Sequence, residues 1–125
     1  MKKVLSIFFA VMFVLTACNS KLEIIEMKSV PNDLQKVLEQ LGMNSYVQVI
    51  NDGRDISYIV INTKDTVMLS VENNDDTISV DIEEVEGQNE NIDQHIYKLT
   101  RDRDYEYFQL YKNGEGIPVD VVTGM

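Results

Sequence analysis

A single histidine, a single cysteine and 21 carboxylates are the side chains of this 125-residue chain best equipped for chemistry. Zinc wants three or four His, Cys or carboxylate ligands, and one histidine with one cysteine falls short of the usual sets. A hydrolytic site needs a nucleophile, a base and an orienting group held together. No G-x-S-x-G elbow is present, and Ser57, Ser70 and Ser79 all fall inside alternating, strand-like segments. His95 therefore reads as an ordinary hydrogen-bonding histidine. No catalytic residue and no cofactor is assigned, and the chain is expected not to be an enzyme.

The carboxylates gather at turns. Asp52 and Asp55 flank Gly53-Arg54, Asp75 and Asp76 share one turn, and Glu83, Glu84, Glu86 and Glu90 surround one loop. Calcium takes six to eight oxygens, so the 83–93 loop is a candidate cation site, although the spacing of a calcium-binding EF-hand loop is absent. The competing reading is that Asp, Asn and Gly make turns while Glu keeps strand edges soluble. A second candidate surface is Tyr105-Glu106-Tyr107-Phe108-Gln109-Leu110-Tyr111. In a strand, Tyr105, Tyr107 and Tyr111 share one face and Phe108 and Leu110 the other. Tyrosines outside the core would make good binding anchors; on a strand buried on both sides they would be core instead.

The one cysteine has its own setting. Lys2 and Lys3 precede an uncharged apolar run over positions 4–17, which ends in Leu15-Thr16-Ala17 directly before Cys18. A basic tip, an apolar run and small residues make an export signal. As a helix the run would be roughly 21 Å long, short of the ~30 Å hydrocarbon core. The Leu15-Thr16-Ala17-Cys18 end resembles the lipobox of bacterial lipoproteins. That resemblance implies cleavage before Cys18 and a diacylglyceryl group on its thiol. Two acyl chains hold a protein stably on a bilayer, whereas one does not. A lone cysteine also leaves no intramolecular disulfide to form.

Cleavage before Cys18 would leave nine basic against 21 acidic side chains, a net charge of −12. Such a chain is repelled by nucleic acid and by anionic headgroups. Nucleic acid is accordingly excluded as a partner, and basic proteins or cations are left open.

Three segments should position these groups: a signal peptide at 1–17, a lipidated cysteine and tether at 18–30, and a small domain at 31–125. Residues 19–30 could span roughly 40 Å when extended. Their Leu22, Ile24, Ile25 and Met27 allow a short strand packed on the domain. Residues 31–41 predict the one helix: Pro31 opens it, Leu34, Val37, Leu38 and Leu41 form one apolar stripe, and Gly42 closes it. Period-two alternation then predicts strands near 46–50, 56–62, 66–72, 77–84, 94–100, 105–111 and 117–122. Asn113-Gly114 is a hairpin signal, and Pro118 places the last strand at an edge.

The expected fold class is α+β: an N-terminal helix packed on a meandering antiparallel sheet of six or seven short strands, or a small partly open barrel. The expected role is a lipid-anchored, extracytoplasmic, non-enzymatic module at the cell membrane. It would contact the membrane through Cys18 and another envelope or extracellular protein through its surface. The alternatives are a ligand- or cation-binding module using the acidic loops, and an unrecognised envelope enzyme.

Overall fold

The structure is a computed structural model that describes residues 21–53, 55–87 and 90–125; Leu15, Thr16, Ala17 and Cys18 lie outside the described residues. Its centre is β3 (Ile56–Thr63), in which Ser57 to Asn62 are all buried. A strand dry on both faces must be covered twice. One cover is a second sheet and the other is the helix.

Sheet A runs in the order β1 (Glu23–Glu26), β6 (Asp93–Thr100), β3, β2 (Val47–Asp52), β9 (Val121–Gly124). Sheet B runs β4 (Thr66–Asn74), β5 (Thr77–Val85), β7 (Tyr107–Lys112), β8 (Glu115–Ile117). Alternation assigns the faces. From sheet A, Val47, Val49, Ile59, Ile61, Tyr97 and Leu99 meet Val67, Ile78, Val80, Ile82 and Leu110 of sheet B in one buried cluster. The opposite face of sheet A places Ile50, Tyr58, Val60 and Ile96 with Leu34 and Leu38 of α1 (Asn32–Leu41). Leu34 and Leu38, one helical turn apart, are the buried residues of the helix. The helix ends at Gly42, whose φ of 74° is the left-handed conformation glycine adopts cheaply; its N–H bonds to the Leu38 carbonyl at 3.0 Å.

These findings overturn the α+β expectation. Among the described residues 56% lie in strands and 10% in the helix, and nine strands, not six or seven, form two mixed sheets rather than one antiparallel meander. β9 pairs parallel with β2, and β7 pairs parallel with β5. The expectation fails because it took tightly joined strands as sheet neighbours. Only Lys64 and Asp65 separate β3 from β4, yet the two strands lie in different sheets. The chain changes sheet again between β5 and β6, between β6 and β7, and between β8 and β9. The changes of sheet build a second layer over one face of sheet A while α1 covers the other, so β3 is dry on both faces, which a single curved sheet with one short helix cannot supply. β1 comes from the segment read as a tether. It pairs antiparallel with β6, and Leu22 and Ile24 pack on the core.

Two buried amides hold the connection from α1 to β2. Gln48 Nε2 donates to the Gly42 carbonyl at 3.0 Å, and Asn62 Nδ2 donates to the Ser45 carbonyl at 2.8 Å. Both side chains are buried, so these bonds satisfy donors that would otherwise carry a desolvation cost.

The layering predicts where substitution hurts. Ile59→Ala, at the centre of β3, should lower stability by about 3–4 kcal/mol in urea unfolding, and Leu34→Ala beneath the helix by about 2–4 kcal/mol. Val122→Ala, at a position 62% exposed, should change it by less than about 1 kcal/mol.

Candidate functional site

Alternation on β5 sends Ile78, Val80 and Ile82 inward, and Glu84 follows them to the end of the sandwich. The Glu84 side chain is only 5% exposed and forms a 2.7 Å ion pair with Lys112 Nζ. Thr63 Oγ1 donates to its other oxygen at 2.6 Å, and Tyr46 Oη donates to Oε2 at 3.2 Å. Lys112 Nζ also sits 4.5 Å from the Tyr46 ring centroid, a cation–π contact. Asn113 bonds the Glu84 backbone in both directions, accepting its N–H at 3.0 Å and donating to its carbonyl at 3.3 Å. Burial alone would push the Glu84 carboxyl up. The hydrogen bonds from Lys112, Thr63 and Tyr46 outweigh burial and hold it below the usual carboxylate range. Burial and the neighbouring carboxylate push the Tyr46 hydroxyl well up, so it stays a donor.

The four glutamates of the candidate cation loop are thus not brought together. Glu83 and Glu84 point to opposite faces of β5, and Glu84 is occupied by Lys112. Glu86 and Glu90 are exposed. Gly87 between them is pressed on the β3–β4 connection: a Cβ there would lie 2.9 Å from the Lys64 carbonyl oxygen. Its N–H donates to Asp65 Oδ1 at 3.2 Å. Among the described residues, no group of three or more His, Cys, Asp or Glu is placed to hold a metal ion.

The three tyrosines part company. Tyr105 precedes β7, half-buried against the core, where its hydroxyl donates to Asp102 at 2.6 Å and accepts from Asn73 Nδ2 at 3.1 Å. The Arg103 guanidinium lies 4.4 Å from its ring centroid. Tyr107 and Tyr111 share the outward face of β7 with Gln109, which accepts the Tyr111 hydroxyl at 2.6 Å. Tyr107 is 56% exposed. Register aligns Asp81 with Ser70 and Tyr111, and Met68 with Glu83, on this same outer face of sheet B. A groove of 440 Å³ runs beside Met68, Ser70, Asp81, Glu83, Asn113 and Gly114.

At the other end of the sandwich a cleft of 170 Å³ opens among Val49, Asn51, Ser57, Arg101, Phe108 and Val122. Ser57 Oγ donates to Asn51 Oδ1 and accepts from Arg101 Nη1, both at 2.6 Å. Neither an amide oxygen nor a guanidinium takes a proton at neutral pH, so this arrangement does not activate the serine. His95 pairs with Ile61 and Ser57 with Leu99. Four residues of strand, roughly 13 Å, therefore separate the histidine from that serine. The His95 Nε2 atom is buried with no hydrogen-bond partner among the described residues.

Reading the sequence by loop proximity missed Lys112 and Tyr46 as partners of Glu84. The available signal was an acid continuing the inward phase of Ile78, Val80 and Ile82.

The Glu84 network predicts a signed pH dependence. Because its folded pKa is depressed, its stabilisation is fully present above the unfolded carboxylate value, ~4.3. It is lost as pH falls through the lower folded value. Glu84→Gln should cost about 1–3 kcal/mol at pH 7. In urea titrations across pH, the gap to the parent chain should close as acid protonates Glu84. No protein-family model, no curated protein and no solved structure matches this chain.

Proposed function

We propose that this chain is a lipid-anchored extracytoplasmic module that binds another protein through the outer face of sheet B and performs no catalysis. The observation that carries the reading is the imbalance of the layers. Sheet A is covered on one face by sheet B and on the other by α1. Among the described residues, sheet B is covered on its inner face alone, and its outer face offers Met68, 66% exposed, and Tyr107, 56% exposed. Tyrosine and methionine supply large contact area at interfaces. The anchor rests on the Leu15-Thr16-Ala17-Cys18 spacing, which would hold this face close to a bilayer.

Two measurements test the two halves. Mass spectrometry of the mature chain should find a diacylglyceryl cysteine at its N-terminus, and Cys18→Ser should release the protein from the envelope fraction. A photocrosslinking residue at Tyr107 should trap a discrete envelope or extracellular protein in intact cells. The same residue at Lys36, on the exposed side of the helix, should trap none. Equal capture at both positions, or at neither, defeats the choice of face.

A further inference from the structure

Of the four strands that end a sheet, β1 and β9 have four residues and β8 three, whereas β4 has nine. Long edges are normally blunted by lysine, proline or a bulge. β4 reads Thr-Val-Met-Leu-Ser-Val-Glu-Asn-Asn, with neither lysine nor proline. Its register with β5 is one-to-one over all nine positions, so it carries no bulge. Which of its backbone groups face outward follows from two bonds. The Glu84 N–H and carbonyl both turn toward Asn113, away from β4. Val67, the partner of Glu84, is therefore in a non-hydrogen-bonded pair. Its carbonyl accepts the Tyr97 hydroxyl at 3.0 Å instead. By alternation, the N–H and carbonyl groups of Leu69, Val71 and Asn73 point along the sheet away from β5. β1 comes close to β4, but among the described residues β5 is the only strand that pairs with β4.

The outer face beside that edge has one sign of charge. Glu72, Asp81 and Glu83 point outward, and no outward position on the four strands of sheet B is lysine or arginine. A second copy of this acidic chain would bring the same carboxylates to the edge, at a cost in repulsion.

Resting on the binding-module reading, we propose that the β4 edge accepts an extended basic segment of a partner protein as a fifth strand of sheet B. The strand runs antiparallel to β4. Alternate apolar residues continue the inner face beside Leu69 and Val71, and lysines or arginines lie outward over Glu72 and its neighbours. Backbone bonds to Leu69, Val71 and Asn73 give affinity, and the alternation gives selectivity.

The test uses the full mature chain, lipidated and held in neutral detergent, with a nine-residue probe of alternating valine and lysine. Two controls replace lysine by glutamate or block the same residues together without alternation. The expected result is binding of the alternating basic probe alone, with amide exchange at Leu69, Val71 and Asn73 slowed at least about tenfold, because those groups gain partners. The double variant Glu72→Lys, Glu83→Lys, checked for an unchanged melting curve, should weaken binding about fivefold or more through two lost exposed pairs. Equal binding of the acidic probe, or unchanged exchange at the three amides, overturns the proposal. So does concentration-dependent protection of those amides without any probe, which would make the occupant a second copy. Failure of the probe with specific capture at Tyr107 intact removes only the edge assignment, whereas failure of both removes the module reading as well.

Discussion

The burial of β3 on both faces is the constraint from which the rest of the architecture follows. Six successive buried residues, Ser57 to Asn62, cannot be accommodated by a sheet with one wet face. Sheet B dries one side and α1 the other, so the helix owes its place to Tyr58 and Val60 rather than to its own propensity. A ten-residue helix is too short to persist alone in water. Its docking in turn brings the 42–46 connection over sheet A, where Gln48 and Asn62 become buried and clamp it.

The same layering explains why polar groups cluster at the two ends of the sandwich. The fully buried residues between the sheets are aliphatic apart from Tyr97, whose hydroxyl reaches the Val67 carbonyl. At one end Glu84, Lys112, Thr63 and Tyr46 satisfy one another. At the other, Ser57, Asn51 and Arg101 do the same. Each set links strands of different sequence position, so each specifies how they are aligned as well as lowering the energy. Glu84 also shows how a charge survives near a core. Its desolvation penalty is offset by three donors, one of them cationic, and breaking any single bond leaves the remainder imperfectly paired.

Much of the element placement was legible because strand and helix periods are local. The Leu34–Leu38 stripe, the alternation of Ile78, Val80 and Ile82, and the Asn113-Gly114 turn with both residues at positive φ each depend on neighbours within a few positions. What misled was the step from elements to partners. Lys64-Asp65 looks like a hairpin connection and instead carries the chain between sheets. Tyr105 continues the alternation of Tyr107 and Tyr111 in sequence. It leaves their face because β7 begins only at Tyr107, where the Tyr107 N–H bonds to the Asp76 carbonyl at 3.0 Å. The acidic loop looked like one cluster because proximity in sequence ignores the pleat, which sends Glu83 and Glu84 to opposite sides.

By itself, then, the sequence determined most of the extended segments, the helix, which side chains share a phase on each strand, and the charge the partners must tolerate. The strand expected at 117–122 is instead divided, Ile117 closing β8 and Val121 opening β9 in the other sheet. Strand order, the two parallel pairings and the change of sheet at four connections were decided only by the tertiary structure. So was the meeting of Glu84 with a lysine 28 positions later. The physical reason is range. Periodicity records which face of a segment is dry, but not which other segment dries it, and that choice is made by the packing of all the dry faces at once.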